Sequence, residues 1–225
     1  MIGKREMVII LLNLKAYEQG IGEKAEELAR IAGELAESSG SRIIISPQAT
    51  DIASLSKNIE TFSQHVDSSP MGAQTGSILP ESAKAAGATG SLLNHAERQI
   101  SEEEIKSGIE RLTALGMESM VCASTPELAA KYAEYNPTYI AIEPPELIGS
   151  GISVSTANPD IVTNSIEQVK AVNPNVKVVC GAGISTGEDV RKAIELGSEG
   201  ALAASAFVKA ENPRAVLEDL IGGLK

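Results

Sequence analysis

Aromatic residues are nearly missing from this chain. Phe, Tyr and Trp make up 3% of its 225 positions and Trp is absent, so any core must be aliphatic. Cysteine is as scarce. Cys122 and Cys180 both lie inside apolar runs, which reads as two buried thiols rather than a disulfide framework and points to the cytoplasm. Positive charge is short too: 19 basic against 30 acidic residues leave a net charge of −11. A nucleic-acid binder needs a basic patch with interleaved aromatics, and none is present. No apolar run is long enough to cross a membrane. The N-terminal MIGKREMVIILLNLK does not read as a signal peptide, because its apolar run is short, follows mixed charges and lacks a small-residue cleavage site. An anionic ligand would gain nothing from the global field, so backbone N–H groups and single lysines would have to hold it.

What the chain does contain is a single rhythm. Apolar, β-branched runs recur at 7–14, 41–48, 61–67, 91–96, 118–124, 139–146, 176–183 and 200–207. Several are continuous rather than alternating, as parallel strands covered on both faces require. Between them lie amphipathic stretches with helix signals. EKAEELARIAGELAESSG ends on glycine, and Ser101 with Glu104 forms a capping box. Thr186 with Asp189 repeats that pattern, while Thr125-Pro126, Asn158-Pro159 and Asn212-Pro213 each set an N-cap residue before a first-turn proline. Eight βα units in 225 residues, about 28 each and with no linker, predict one (β/α)8 barrel domain over 1–225. An open doubly wound sheet is the alternative, but no GxGxxG follows the first strand.

Function in such a barrel gathers on the loops after the strands, so polar residues at strand ends are the candidates. Strand one ends in Asn13-Leu14-Lys15, whose alternation sends Asn13 and Lys15 the same way; a surface lysine is the plain alternative. Of the two histidines, His65 within SQHVD reads as structural, whereas His95 ends strand four and precedes a charged pair. Strand six delivers Glu143 to Pro144-Pro145, followed by apolar Leu147-Ile148 and a Gly149-Ser150-Gly151 hinge. A solvated terminal carboxylate needs neither stiff prolines nor apolar loop residues. A base beneath a closing, water-excluding loop needs both. Small residues in CGAGIS and GALAASA would let backbone N–H groups approach a phosphate, although tight barrel packing also favours them.

In their order along the chain, NLKAY, LLNHAER, IEPPELIGSG, CGAGIS and GALAASA closely resemble the triosephosphate isomerase family in its short, archaeal form. The resemblance covers essentially the whole chain, and its specificity lies in the ordered set. It implies interconversion of dihydroxyacetone phosphate and D-glyceraldehyde 3-phosphate through an enediolate, with neither metal nor organic cofactor. Carried over residue by residue, it makes Glu143 the base, His95 the electrophile that polarises the carbonyl, and Lys15 the cation for the developing charge. This base–imidazole–lid assignment is what the resemblance to the family implies. Asn13 would help position substrate, and Glu97 would orient Lys15. Backbone groups at Gly149, Gly183, Ser185, Ala204 and Ser205 would hold the phosphate, with Ile148 and Leu202 forming an apolar wall against Glu143. Two positions depart from the family: Ala96 replaces a serine that contacts the base, and Ala206 replaces a glycine beside the cradle. GAQTG (72–76) resembles an intersubunit loop, which makes Thr75 a contact to a neighbour and implies a homotetramer in preference to a dimer. A divergent or non-catalytic phosphate-binding barrel is the other reading.

Overall fold

The structure, a computed structural model, describes residues 8–144, 147 and 153–225. Eight parallel strands close into a barrel in sequence order. They are β1 (Ile9–Asn13), β2 (Arg42–Ser46), β3 (Glu60–Ser63), β4 (Gly90–Leu93), β5 (Glu118–Ala123), β6 (Tyr139–Ile142), β7 (Lys177–Ile184) and β8 (Gly200–Ala203). Closure comes from β1 pairing β2 on one side, with Asn13 opposite Ser46, and β8 on the other, with Leu11 opposite Leu202. Most strands are shorter than the apolar runs, because several runs continue into turns. The run at 61–67 leaves the sheet after Ser63, and that at 200–207 turns helical at Ser205.

Period-two alternation divides each strand between two cores. Ile9, Leu11, Ile44, Phe62, Leu92, Met120, Tyr139, Val179 and Leu202 form a cluster to which all eight strands contribute and no helix does, which places it inside the barrel. The intervening residues, such as Ile10, Leu12, Ile43 and Ile45, pack outward against helices. The main ones are α1 (Glu23–Ser39), α4 (Glu102–Ala114), α5 (Pro126–Ala133), α7 (Pro159–Val172), α8 (Gly187–Glu195) and α10 (Pro213–Gly222), with α2 (Ile52–Leu55), α3 (Pro80–Ala85), α6 (Val154–Ala157) and α9 (Ser205–Val208) as shorter turns. Fully buried Phe62 anchors the inside. Gly90 must be glycine beside it, since a Cβ there would stand 2.5 Å from the Phe62 ring. Truncating such a core aromatic to alanine costs about 3–5 kcal/mol.

The helix starts follow the sequence signals with one exception. Ser101 and Thr186 both close capping boxes, and Thr125 and Asn212 accept from Leu128 and Ala215 N–H. Asn158 makes no side-chain cap. It is already the C-cap of α6, where its own N–H donates to the Val154 carbonyl. No helix among the described residues is long and apolar enough to cross a membrane.

Candidate active site

Alternation carries particular residues to the C-terminal mouth of the barrel. On β6, inward Tyr139 and Ala141 put the next in-phase residue, Glu143, at the mouth, where its N–H donates to the Ala123 carbonyl at 2.9 Å. On β1 the same count brings Asn13 inward, with only 3% of its surface exposed. On β4 the count would bring Asn94 rather than His95. Asn94, however, takes a left-handed φ of +58°, and its amide is consumed by the Cys122 carbonyl and the Ile100 N–H. The alternation ends there, and His95 reaches the mouth instead.

One solvent-open cleft of about 450 Å³ is lined by Lys15, Tyr17, His95, Glu143, Gly181, Gly183, Ile184, Ser185, Leu202, Ala204 and Ser205. Eight residues singled out in the sequence therefore meet here: Lys15, His95, Glu143, Gly183, Ser185, Leu202, Ala204 and Ser205. Asn13 lines an adjoining cavity instead, and its Oδ1 accepts from the Lys15 N–H at 2.9 Å. Thr75 stands exposed on the tip of the 64–79 segment. Gly149 and Ile148 lie outside the described residues. His65 is structural as read, its Nε2 bonded to Asp67 Oδ1 at 2.9 Å.

Glu143 is 2% exposed, and its Oε2 has no hydrogen-bond partner among the described residues. Burial pushes its pKa up from the usual carboxylate range, against the opposing pull of His95, Cys122 and Lys15. His95 Nε2 stands 3.6 Å from that oxygen, too far for a hydrogen bond. The Glu97 N–H donates to His95 Nδ1 at 3.1 Å, so Nδ1 is an acceptor and the ring proton sits on Nε2, facing the cleft. The side chain of Glu97 takes the Lys15 ammonium at 2.7 Å. One residue thus orients both of its neighbours, the imidazole through its backbone and the lysine through its carboxylate.

The cradle side is built from small residues. Gly183 has φ of +71°, and α9 begins at Ser205, so the first N–H groups of that turn have no partner within it. Ser185 is already engaged: its N–H donates to Asp189 Oδ2 at 3.0 Å and its hydroxyl to the Gly183 carbonyl at 3.0 Å. A phosphate would reach it only by exchange with one of these. Ala206 lies within α9 and is not among the left-handed residues, so its methyl group meets no backbone strain. Ala96 lines a cavity behind Glu143, together with Cys122. Burial, and then the Glu143 charge beside it, push the Cys122 thiol well up.

Sequence reasoning missed four contributors. Gly181 makes room for the base, since a Cβ there would stand 2.5 Å from Glu143 Cγ. Cys122 lies against the same carboxylate. Gln48 and Gln64 both donate to the Lys15 carbonyl, at 2.7 and 2.9 Å. Each glutamine follows a strand end within two residues, a position that could have marked them. Among the described residues, no group of three or more His, Cys, Asp or Glu side chains is placed to hold a metal ion.

The closed parallel barrel and the position of its cleft put the molecule among the (β/α)8-barrel enzymes. A model of the triosephosphate isomerase family matches residues 8–221. The triosephosphate isomerase of Methanothermus fervidus is 46% identical over 215 residues, 95% of this chain and 97% of that protein. That of Methanosarcina acetivorans is 47% identical over 214 residues, covering 94% and 96%. That of Methanothermobacter thermautotrophicus is 44% identical over 219 residues, 96% of each. The chain belongs to the triosephosphate isomerase family.

Proposed function

We infer that this member of the family interconverts dihydroxyacetone phosphate and D-glyceraldehyde 3-phosphate, with Glu143, His95 and Lys15 carrying the chemistry. The observation that supports the assignment most strongly is the buried Glu143 oxygen, without a partner among the described residues, at the wall of a cleft that also holds an imidazole N–H and an ammonium group. A carboxylate buried away from solvent is a stronger base than one in water. It would take the proton from the carbon next to the carbonyl and return it to the neighbouring carbon. His95 Nε2–H would donate to the carbonyl oxygen as charge develops there, and Lys15 would stabilise the enediolate. The phosphate would lie against Gly183 and the start of α9, at Ala204 and Ser205, with Ser185 joining by exchange. Gly149 and Ile148 would complete the cradle and the wall when the loop after Glu143 closes, shutting out the water that favours loss of phosphate from the enediolate. Asn13 would act through Lys15, whose N–H it holds.

We also infer a homo-oligomer, a tetramer in preference to a dimer. The 64–79 segment supports a contact between subunits. Its base is tied by the Asp67 N–H to the Ile78 carbonyl at 2.8 Å and by the Ile78 N–H to Asp67 Oδ2 at 2.6 Å. Its tip carries Thr75, and Met71 there is 72% exposed. Light scattering on the purified protein separates the tetramer, dimer and monomer.

The test of the chemistry is the rate of D-glyceraldehyde 3-phosphate isomerisation, read through a coupled reductase, with Glu143→Asp alongside. Shortening the side chain draws the carboxylate back by about 1 Å and should cost about 10²-fold or more in kcat. Absence of turnover in the parent protein, with phosphate binding retained, would leave a barrel that kept its cradle without the reaction.

A further inference from the structure

We propose that Gln48 is a positioning residue for Lys15, holding the lysine backbone in the left-handed turn that aims its ammonium group into the cleft. The proposal rests on the reading of Lys15 as the substrate's cation. Lys15 has a φ of +49°, a conformation that a residue with a Cβ adopts only when its surroundings impose it. It lies beyond the end of β1, so no sheet ladder holds it. Side chains hold it instead. Its N–H donates to Asn13 Oδ1 at 2.9 Å, while its carbonyl accepts from Gln48 Nε2 at 2.7 Å and from Gln64 Nε2 at 2.9 Å. Both lone pairs of that carbonyl are thereby occupied.

The two amides do not contribute alike. Gln64 divides its N–H groups between the Lys15 carbonyl and the Ser46 carbonyl, the latter at 3.0 Å. Gln48 directs both of its N–H groups at this turn, one to Lys15 directly and one to Gln64 Oε1 at 3.1 Å, which steadies the second donor. Removing Gln48 therefore loses one hydrogen bond to Lys15 and the support of the other. Gln48 lines the adjoining cavity with Asn13, Lys15 and His95 rather than the cleft beside Glu143. Its link to the chemistry runs through the Lys15 backbone, and the Lys15 side chain, 9% exposed, is then fixed at its far end by Glu97. The lysine is held at both ends, its backbone by Gln48 and Gln64 and its ammonium by Glu97.

Gln48→Met keeps the side-chain length and removes both donors. With D-glyceraldehyde 3-phosphate as substrate, KM should rise about tenfold while kcat falls by less, because a displaced cation weakens substrate and transition state together. A role confined to stability predicts a different pattern: a lower Tm and a smaller active fraction, which reduce kcat at unchanged KM. That pattern, or a folded Gln48→Met with KM within twofold of the parent, overturns the proposal. If Gln48→Met does not fold, Gln48→Glu carries the same KM test, since it keeps length and polarity but offers the carbonyl no donor. Lys15→Met separates the two levels of inference. Should it leave turnover intact, the reading of Lys15 fails and this proposal with it. Should it abolish turnover while folded Gln48→Met keeps the parent KM, only the positioning role fails.

Discussion

The two ends of this barrel handle charge in opposite ways. At the N-terminal end, Arg42 bridges three strands: it donates to both oxygens of Glu60 at 2.6 and 2.9 Å, to both oxygens of Glu118 at 2.5 and 3.2 Å, and to the Tyr139 hydroxyl at 2.8 Å. Thr89 adds a further donor to Glu60 at 2.9 Å. Every charge there is met. At the C-terminal mouth, among the described residues, Glu143 keeps an unpartnered oxygen, and two of the three non-glycine residues with positive φ, Lys15 and Asn94, stand beside it. The floor contributes stability, and the mouth carries strain that the floor and core must offset. The same strands run through both ends, so the difference is one of residue choice at the last positions.

Removing a charge should therefore affect the two ends differently: at the mouth it costs activity, at the floor stability. The largest effect is expected from Glu143→Gln. It removes the base, lowering kcat by about 10³-fold, and it also removes a buried charge, raising Tm by a few degrees. A melting curve and a progress curve on one preparation check both; a fall in Tm would mean that the carboxylate is better satisfied than its surroundings indicate. Next is Gly181→Ala, whose methyl group would stand 2.5 Å from Glu143 Cγ. It should push the carboxylate aside and cost about 10²-fold in kcat/KM and about 1–3 kcal/mol of stability. Arg42→Met is the mirror case at the floor. Leaving Glu60 and Glu118 without their partner should cost about 3 kcal/mol in denaturant unfolding, with kcat of the folded enzyme within about twofold of the parent.

The ends should also differ in their response to pH. Glu143 holds its proton more tightly when folded than when unfolded, because burial raises its pKa. Activity should then rise with pH through that raised value, while the carboxylate's contribution to folding becomes less favourable from the usual carboxylate range upward. Glu60 behaves in reverse. Burial raises its pKa, but the Arg42 hydrogen bonds and charge more than overcome this, and the net shift is downward. Its contribution is present above the usual carboxylate range and is lost as pH falls through the lowered value. Urea titrations across acid pH should show Arg42→Met flattening the floor's part of this dependence and Glu143→Gln removing the opposing part. The smallest effect expected is at Ala206. Since it sits in a helical turn, Ala206→Gly should leave kcat/KM within about twofold and cost about 0.5–1 kcal/mol, measured by thermal melting.

Much of this molecule was determined by the sequence alone. The eight apolar runs, the capping residues at Ser101 and Thr186, and the absence of any other repeating pattern specify a parallel barrel, because each is a local property acting through propensity and period. Lys15, His95 and Glu143 stood out for a similar reason, being polar residues placed where an apolar strand stops. Other features had to wait for the tertiary structure. That Asn94 turns left-handed and hands the mouth to His95 depends on the Cys122 carbonyl of the neighbouring strand. That Gly181 must be glycine depends on Glu143, a residue far away in sequence on β6's end. That Gln48 and Gln64 share one lysine carbonyl depends on β1, β2 and β3 lying side by side. Period and propensity read neighbours along the chain, whereas hydrogen bonds and close approaches read neighbours in space. Only closure of the barrel decides which of those come together.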